Sequence, residues 1–337
     1  MDNRLQKILS SYNFTVKNIE KLDKIKEVFK ITDDNGINYF LKIYDKSGGD
    51  DIIPGENIYY TYEQISVEME ILNLLSDSAL NTAVPIRNSM GEFVTVYNSE
   101  YATITSFIDA PPMTKSEAPM TEKAFLAGVA AAKLHLESEK KLLPVAVKRQ
   151  HKRQDYIKEI LNRLKYGLDV KVLTDAQFEM LKQCCDVIID SMNKLDEDPA
   201  YNIGLVHTDI RPVNCTYSSN QVTFIDFSRS VYSYYLYDLG HIFFHADWIG
   251  SHDIQSAVLR GYHSVKPLKK DHLFMTTQVF TAMFLLTVMA SCIDIGFEQN
   301  AWMQGVLKWF TDGIHPGLMS GKGYLDSSVF KKVTIQG

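Results

Sequence analysis

The sequence predicts an α+β chain, with a small, antiparallel, β-rich N-terminal lobe followed by a larger, mainly helical C-terminal lobe. Three observations predict it. The first hundred residues hold short runs of β-branched and aromatic residues separated by turn signals. Pro111-Pro112 then interrupts the pattern. Beyond it, apolar residues recur at the three-and-four spacing of amphipathic helices. A chain of 337 residues has material for about two domains, and the connector at 106–112 places them at 1–107 and 108–337.

Taken in order, residues 27–32 and 38–44 read as two strands. Asp33-Asp34-Asn35-Gly36 between them is a hairpin signal, because Asn and Gly accept the positive φ of a tight turn. A helix is expected over 66–75, where Val67, Ile71, Leu74 and Leu75 share a face. Further strands are expected at 93–97 and 101–107. In the second lobe, 124–136 is an Ala/Leu-rich helix ending in Leu134-His135-Leu136. A later helix opens with the capping box Thr174-x-x-Gln177. Phe178, Leu181, Cys185, Ile188, Met192 and Leu195 give it a core-facing stripe. The stretch 273–293 carries no charged side chain over 21 residues, long enough to cross a bilayer. Its Thr276, Thr277, Gln278, Thr281, Thr287 and Ser291 suit the buried helix of a large lobe instead, so no membrane partner is expected. Lys148-Arg149-Gln150-His151-Lys152-Arg153 is the one basic run and reads as a solvated helix face.

Composition narrows the class. A hydrophobic fraction of 45% and a charged fraction of 23% are those of a globular chain. No internal repeat supports a solenoid. A net charge of −6 argues against a surface that coats nucleic acid, so no such partner is expected. Cys184, Cys185, Cys215 and Cys292 show no C-x-x-C spacing, and the adjacent pair suits neither a metal site nor an easy disulfide. With an N-terminal stretch that lacks an apolar signal core, this predicts a reducing, cytoplasmic setting. A monomer or homodimer is expected.

The chemistry concentrates in 204–227. Residues 215–217 and 222–225 read as short strands around Ser218-Ser219-Asn220-Gln221, a hairpin by its turn residues. Antiparallel pairing brings the open ends of a hairpin together, so Asn214 before the first strand and Asp226 after the second converge. An amide oxygen and a carboxylate are hard ligands suited to Mg2+. Asp209 lies five residues before Asn214, on the loop entering the same hairpin, where a carboxylate can face the metal pair without being consumed as a ligand. Phosphoryl transfer needs this set: metal ions that neutralise triphosphate charge and an acceptor that positions the attacking hydroxyl. His207 is placed to brace the loop. A second reading of the same letters, transition-metal hydrolysis, would use His207, Asp209, His241 and His245.

His207-Thr-Asp209-Ile-Arg211-Pro-Val-Asn214 followed by Ile225-Asp226-Phe227 resembles the catalytic and metal-binding loops of the protein-kinase-like fold. The resemblance is closest to the aminoglycoside phosphotransferase/choline kinase family of small-molecule kinases. It implies a bilobal kinase-like fold, with Asp209 as catalytic base, Asn214 and Asp226 as magnesium ligands, and His207 as loop scaffold. It extends to Tyr237-Asp238-Leu239-Gly240, with Asp238 as a structural cap. In the first lobe it implies that Lys42, a lysine in an otherwise apolar strand, grips the α- and β-phosphates and pairs with a helix glutamate. Glu68 matches that pattern best, with Glu70 and Glu63 as alternatives. Residues 101–109 resemble the kinase hinge, implying backbone contacts from Ser106 and Ile108 to the adenine of ATP, and a backbone-reading hinge leaves GTP open.

The chain also departs from the family. No glycine-rich loop lies between the first two strands, where the candidate phosphate cover is 21–26. Thr208 stands where the family usually has glycine, and Arg211 where it often has His or Lys. Arg211 then meets either a phosphate, an acidic substrate group, or a partner within its own lobe. Substrate selection is expected from the segment after Asp238, where Phe244, His245, Asp247, Trp248 and Asp253 offer aromatic and acidic groups to an amine-bearing acceptor. The implied activity is ATP- and Mg2+-dependent transfer of the γ-phosphate to a hydroxyl of a small metabolite or antibiotic, with aminoglycoside, choline or homoserine kinases as examples. A Ser/Thr protein kinase-like enzyme and a catalytically silent binding or structural protein are the other readings.

Overall fold

Alternating strand residues give the N-terminal region of the computed structural model its sheet. The structure describes residues 3–44, 60–197, 203–218, 220–244, 251–294, 301–325 and 329. These group into two compact units, one of residues up to 110 and one of residues from 111 onward. In the first unit, β1 (Val16–Lys21), β2 (Val28–Asp33), β3 (Asn38–Tyr44), β4 (Pro85–Ile86), β5 (Val94–Tyr97) and β6 (Glu100–Ser106) form one sheet in the order β1-β2-β3-β6-β4. β5 pairs with the other stretch of β6, and every pairing is antiparallel. The turn at 33–36 forms as its residues predict: Gly36 takes φ +83° and donates to the Asp33 carbonyl at 3.1 Å.

The sheet buries residues on both faces. Leu41 and Ile43 of β3 pack with Ile31 and Ile104 against Leu5, Ile8 and Leu9 of α1 (Asn3–Leu9), a helix the sequence reading did not anticipate. Tyr44, next after Ile43, packs on the other face against Ile65 of α2 (Tyr62–Leu75) and Val94. Successive strand side chains alternate faces, so Lys42 shares the face of Tyr44, the one α2 covers. α2 starts earlier than its apolar stripe suggests, because Thr61 and Gln64 cap it reciprocally.

The second unit is mainly helical. α3 (Met120–Glu137) leads through a π-helical turn to α4 (Leu143–Ala146), and α5 (Gln154–Asp169) and α6 (Asp175–Asp196) follow. The capping box at Thr174 and Gln177 forms with both of its bonds. Four short strands come next: β7 (Ile203–Val206), β8 (Cys215–Ser218), β9 (Gln221–Phe224) and β10 (Val231–Tyr234). α7 (Leu236–Phe244) and α8 (His252–Val265) follow them. The uncharged stretch forms α9 (Lys270–Phe274) and α10 (Thr281–Asp294), continuous through a π-helical turn, with 94% of its most apolar window buried. α11 (Ala301–Trp309) and α12 (His315–Ser320) complete the unit. Cys184, Cys185, Cys215 and Cys292 are buried and unpaired.

One expectation is overturned. The basic run 148–153 is not a solvated helix face. It leaves α4 and runs extended beside β10, where Tyr232 donates to the Gln150 carbonyl at 2.9 Å and Lys152 donates to the Tyr232 carbonyl at 3.0 Å. Arg149 and Lys152 are buried, with 8% and 7% exposure. Arg153 forks onto the Asp196 carboxylate with both contacts at 2.9 Å. Backbone pairing and specific polar partners offset the desolvation that a run of cations would otherwise suffer.

α3 and α8 cross in backbone contact, and two glycines permit it. A Cβ at Gly128 would lie 2.0 Å from the Val258 carbonyl oxygen, and one at Gly261 only 1.9 Å from that of Phe125. Backbone atoms cannot swing aside as a side-chain end can. Gly261→Ala is therefore expected to destabilise the protein by about 1–3 kcal/mol, as overpacking does. Urea denaturation checks this: the midpoint should fall with an unchanged slope.

Candidate active site

The β8–β9 hairpin sets the geometry that the sequence anticipates. Its register pairs Cys215 with Phe224 and Ser218 with Gln221, and Asn220 at the turn takes φ +58°. Ser219 lies outside the described residues. At the open end, Ile225 donates its N–H to the Asn214 carbonyl at 3.0 Å, so Asp226 follows directly on the residue bonded to Asn214. The Asn214 side chain donates through Nδ2 to the Asp209 carbonyl at 3.1 Å and to Asp209 Oδ2 at 2.5 Å. Both neighbours only accept, which fixes which end of the amide carries nitrogen and leaves Oδ1 as its remaining acceptor. Asp226 is exposed, takes φ +65°, and accepts at Oδ1 from the Ser228 hydroxyl at 2.5 Å and the Ser228 N–H at 3.3 Å.

This donor set fits magnesium. Asn214 and Asp226 offer hard oxygens at one end of the hairpin. Among the described residues, no group of three or more His, Cys, Asp and Glu side chains is placed to hold a metal ion. A site with one or two protein oxygens, completed by phosphates and water, is the usual one for Mg2+. The hydrolytic alternative fares worse. His207 commits both ring nitrogens, the His241 ring packs 4.1 Å from that of Phe284, and His245 lies outside the described residues.

Asp209 is 7% exposed. Burial is the largest influence on its carboxyl and raises its pKa above the ordinary 3.8, while Arg211, Arg229 and His207 pull it back and Asp226 pushes it up. Arg211 Nε stands 3.1 Å from Asp209 Oδ1, but its N–H is not aimed at that oxygen, so the contact is ionic and not a hydrogen bond. Of the partners open to Arg211, the structure shows this one, within its own unit. His207 is fully buried. Its Nδ1 accepts from the Asp209 N–H at 3.2 Å, which puts the ring proton on Nε2, and Nε2 donates to the Ile225 carbonyl at 3.1 Å. One imidazole thus ties the Asp209 loop to the residue before Asp226.

Beneath the loop stands Asp238, fully buried in the first turn of α7. Its Oδ2 accepts from the His207 N–H at 2.9 Å and its Oδ1 from the Thr208 N–H at 2.7 Å. Oδ2 also meets His135 Nε2 at 3.0 Å, and His135 Nδ1 meets the Tyr262 hydroxyl at 2.8 Å. A carboxylate only accepts, so Nε2 carries the proton and Tyr262 donates to Nδ1. Burial is the largest influence on His135 and lowers its pKa below 6.5, with Asp238 opposing. Burial likewise lifts the Tyr262 hydroxyl well above 10.0. Sequence reasoning placed Asp238 as a cap but missed His135 and Tyr262. The available signal was a histidine between two leucines on an apolar helix, which must find a partner when buried.

The first unit carries the other sequence-predicted residues. Lys42 is half-buried, its Nζ 4.8 Å from the Tyr44 ring centre and 5.2 Å from that of Tyr60. Of the three candidate acids on α2, Glu68 is the buried one, three residues after Ile65 on the face toward the sheet, while Glu70 is half-buried and Glu63 exposed. Ser106 spends its N–H on the Val84 carbonyl at 2.7 Å, and its carbonyl accepts from the Thr105 hydroxyl at 3.3 Å, which leaves that oxygen one further lone pair for an adenine edge and the amide no proton to give. Ile108 is half-buried, and its backbone makes no hydrogen bond among the described residues. The loop 22–27 between β1 and β2 holds an Asx turn, with Asp23 Oδ1 accepting from Ile25 at 2.8 Å and Lys26 at 2.9 Å.

On the acceptor side, His245, Asp247 and Trp248 lie outside the described residues. Phe244 is half-buried, its ring centre 5.2 Å from that of Trp309 and 4.8 Å from that of Phe284. Asp253 is exposed in the first turn of α8.

Known proteins resemble the chain in sequence pattern and in fold. No curated protein sequence matches it significantly. Among solved structures, an amicoumacin kinase in complex with AMP-PNP, Ca2+ and Ami superposes with a TM-score of 0.67 at 19% identity, covering 94% of each chain. A microcompartment-associated aminopropanol kinase does so at 0.62 and 16% identity, covering 93% of this chain and 94% of its own. A spectinomycin phosphotransferase in complex with ADP does so at 0.57 and 15%, covering 94% and 98%. At these identities the likeness shows the kinase-like α+β fold. A family model described as the phosphotransferase enzyme family matches residues 22–268, well over half of the sequence. The chain belongs to the phosphotransferase enzyme family.

Proposed function

We propose that this phosphotransferase moves the γ-phosphate of ATP, with Mg2+, to a hydroxyl of a small, amine-bearing acceptor. The observation that carries this is the joint placement of Asp209, Asn214 and Asp226 on one hairpin and its entry loop, with the Asn214 amide bound to Asp209 and its oxygen left over. Asn214 Oδ1 and the Asp226 carboxylate would hold the metal ion, which, bound with the nucleotide, neutralises phosphate charge. Lys42 would engage the phosphates, and the Ser106 carbonyl and Ile108 N–H the base. Among the described residues, Asp209 Oδ2 already receives a hydrogen bond, whereas Oδ1 has only the ionic contact with Arg211. Oδ1 is therefore the atom that would accept the proton of the attacking hydroxyl. Arg211 would keep that carboxylate oriented.

The amine on the acceptor rests on different support. Solved structures of the same fold are named for amicoumacin, aminopropanol and spectinomycin. This chain is net acidic and places half-buried aromatic rings at the end of α7, a surface on which an ammonium group gains about 0.5–2 kcal/mol. An ATP-consumption screen over amino alcohols, amino sugars and aminoglycosides tests the reading. Turnover of at least one amine-bearing alcohol is expected, and turnover of protein substrates alone would overturn it. Asp226→Ala should weaken Mg2+-dependent ATP binding by about tenfold or more, since loss of a group that merely orients a metal ligand already costs about 10–100-fold, while binding without metal changes little. Calorimetry with and without Mg2+ separates the two.

A further inference from the structure

Asp226 sits in a conformation that L-residues avoid, at φ +65°, and such residues persist only where their surroundings over-determine them. The preceding residue is held on both sides: Ile225 donates to the Asn214 carbonyl at 3.0 Å and accepts from His207 at 3.1 Å. The following segment is held by two side chains from outside the loop. Arg149 donates from its terminal nitrogen to the Phe227 carbonyl at 3.1 Å. That same carbonyl accepts from Ser230 N–H at 3.0 Å and Ser230 Oγ at 2.7 Å. Thr208 donates its hydroxyl to the Arg229 carbonyl at 2.6 Å.

Both residues are placed at a disadvantage to do this. Arg149 buries a guanidinium at 8% exposure, which is unfavourable unless its charge meets polar partners. Thr208 takes φ +57°, where a β-branched residue is strained and glycine is at ease. Glycine at 208 would relieve the strain but would have no hydroxyl to reach Arg229. From this geometry we infer that Arg149 and Thr208 are positioning residues: their side chains clamp the carbonyls of Phe227 and Arg229 and hold Asp226 in a metal-ready conformation. The inference rests on the reading of Asp226 as a magnesium ligand. It assigns a role to the buried arginine of the basic run, and it gives Thr208 a reason to stand where strain argues against it.

The test measures the Mg2+ dependence of AMP-PNP binding by calorimetry for the wild type, Asp226→Ala, Arg149→Ala, Arg149→Lys, Thr208→Gly and Thr208→Ser. Removing a group that orients a metal ligand weakens metal affinity by about 10–100-fold. Arg149→Ala and Thr208→Gly should each raise the Mg2+ requirement about tenfold, with metal-free nucleotide binding unchanged. Arg149→Lys and Thr208→Ser should recover part of the loss, because each keeps a donor. A role confined to stability would lower the melting temperature without moving the Mg2+ requirement. Should Arg149→Ala fail to fold, Thr208→Gly still decides, since it relieves backbone strain while deleting the hydroxyl. If Asp226→Ala loses Mg2+ dependence but neither clamp variant shifts it, the positioning role is wrong. If Asp226→Ala keeps wild-type Mg2+ dependence, the metal reading itself falls, and the inference with it.

Discussion

Asp209→Asn is expected to reduce phosphoryl transfer by about 10²–10⁴-fold, the contribution of a positioned general base, while nucleotide binding persists. The asparagine keeps the size of the side chain and an oxygen facing Asn214 but cannot take a proton. Stability should move the other way. Burial raises the folded-state pKa of Asp209 above 3.8, so the folded protein binds a proton that the unfolded chain has released. Such a group contributes stability below the unfolded pKa and loses it as pH rises through the folded one. At neutral pH the buried carboxylate is a liability, and the neutral variant should melt no lower than the wild type. If Asp209 is the base, the same shift moves the acid limb of the kcat/KM profile upward from that of an ordinary aspartate, since a base works only when ionised. Steady-state kinetics across pH, with a thermal melt of each protein, check both. Transfer at the wild-type rate in the variant would remove Asp209 from the mechanism.

Much of this site was legible because its geometry is local. Asn214 and Asp226 are brought together by a hairpin whose turn residues are written in the chain, and β8 and β9 form within one residue of where alternation places them. β3 begins and ends where its residues predict, because a strand of Tyr, Phe, Leu and Ile carries its own propensity. The parts that were missed depend on distant partners. A run of Lys, Arg and His offers no apolar period, so 148–153 reads as solvated; only the pairing with β10 shows that it lies extended and buries Arg149. Thr208 looked like a simple departure from glycine, and its hydrogen bond to Arg229 spans 21 positions. α1 is only seven residues long and gains its stability from packing on the sheet, which a short window of sequence does not reveal. His135 was visible as a residue of a helix, but its bond to Asp238 spans 103 positions.

That bond frames the second large effect. Asp238→Ala should destabilise the protein by several kcal/mol, because each buried donor left without its acceptor costs about 1–3 kcal/mol. It leaves the N–H groups of His207 and Thr208 and the ring N–H of His135 without their acceptor in a site that excludes water. Asp238→Asn should fare little better. Both carboxylate oxygens of Asp238 receive donors, so an amide can satisfy only one side and must present its own N–H groups to the other. Coupling distinguishes this network from a general loss of packing. His135→Ala and Asp238→Ala should be strongly non-additive, since each removes the partner that makes the other necessary. The pH dependence has a definite sign as well. His135 has a folded-state pKa below 6.5 because burial disfavours its charged form. Its contribution is therefore present above the unfolded pKa and is lost as pH falls through 6.5 toward the folded value. The wild type should lose stability on acidification through that window, and His135→Ala, although less stable throughout, should lose less. Urea titrations at several pH values measure this, and parallel curves for the two proteins would show that the 207–209 loop does not rest on a neutral His135.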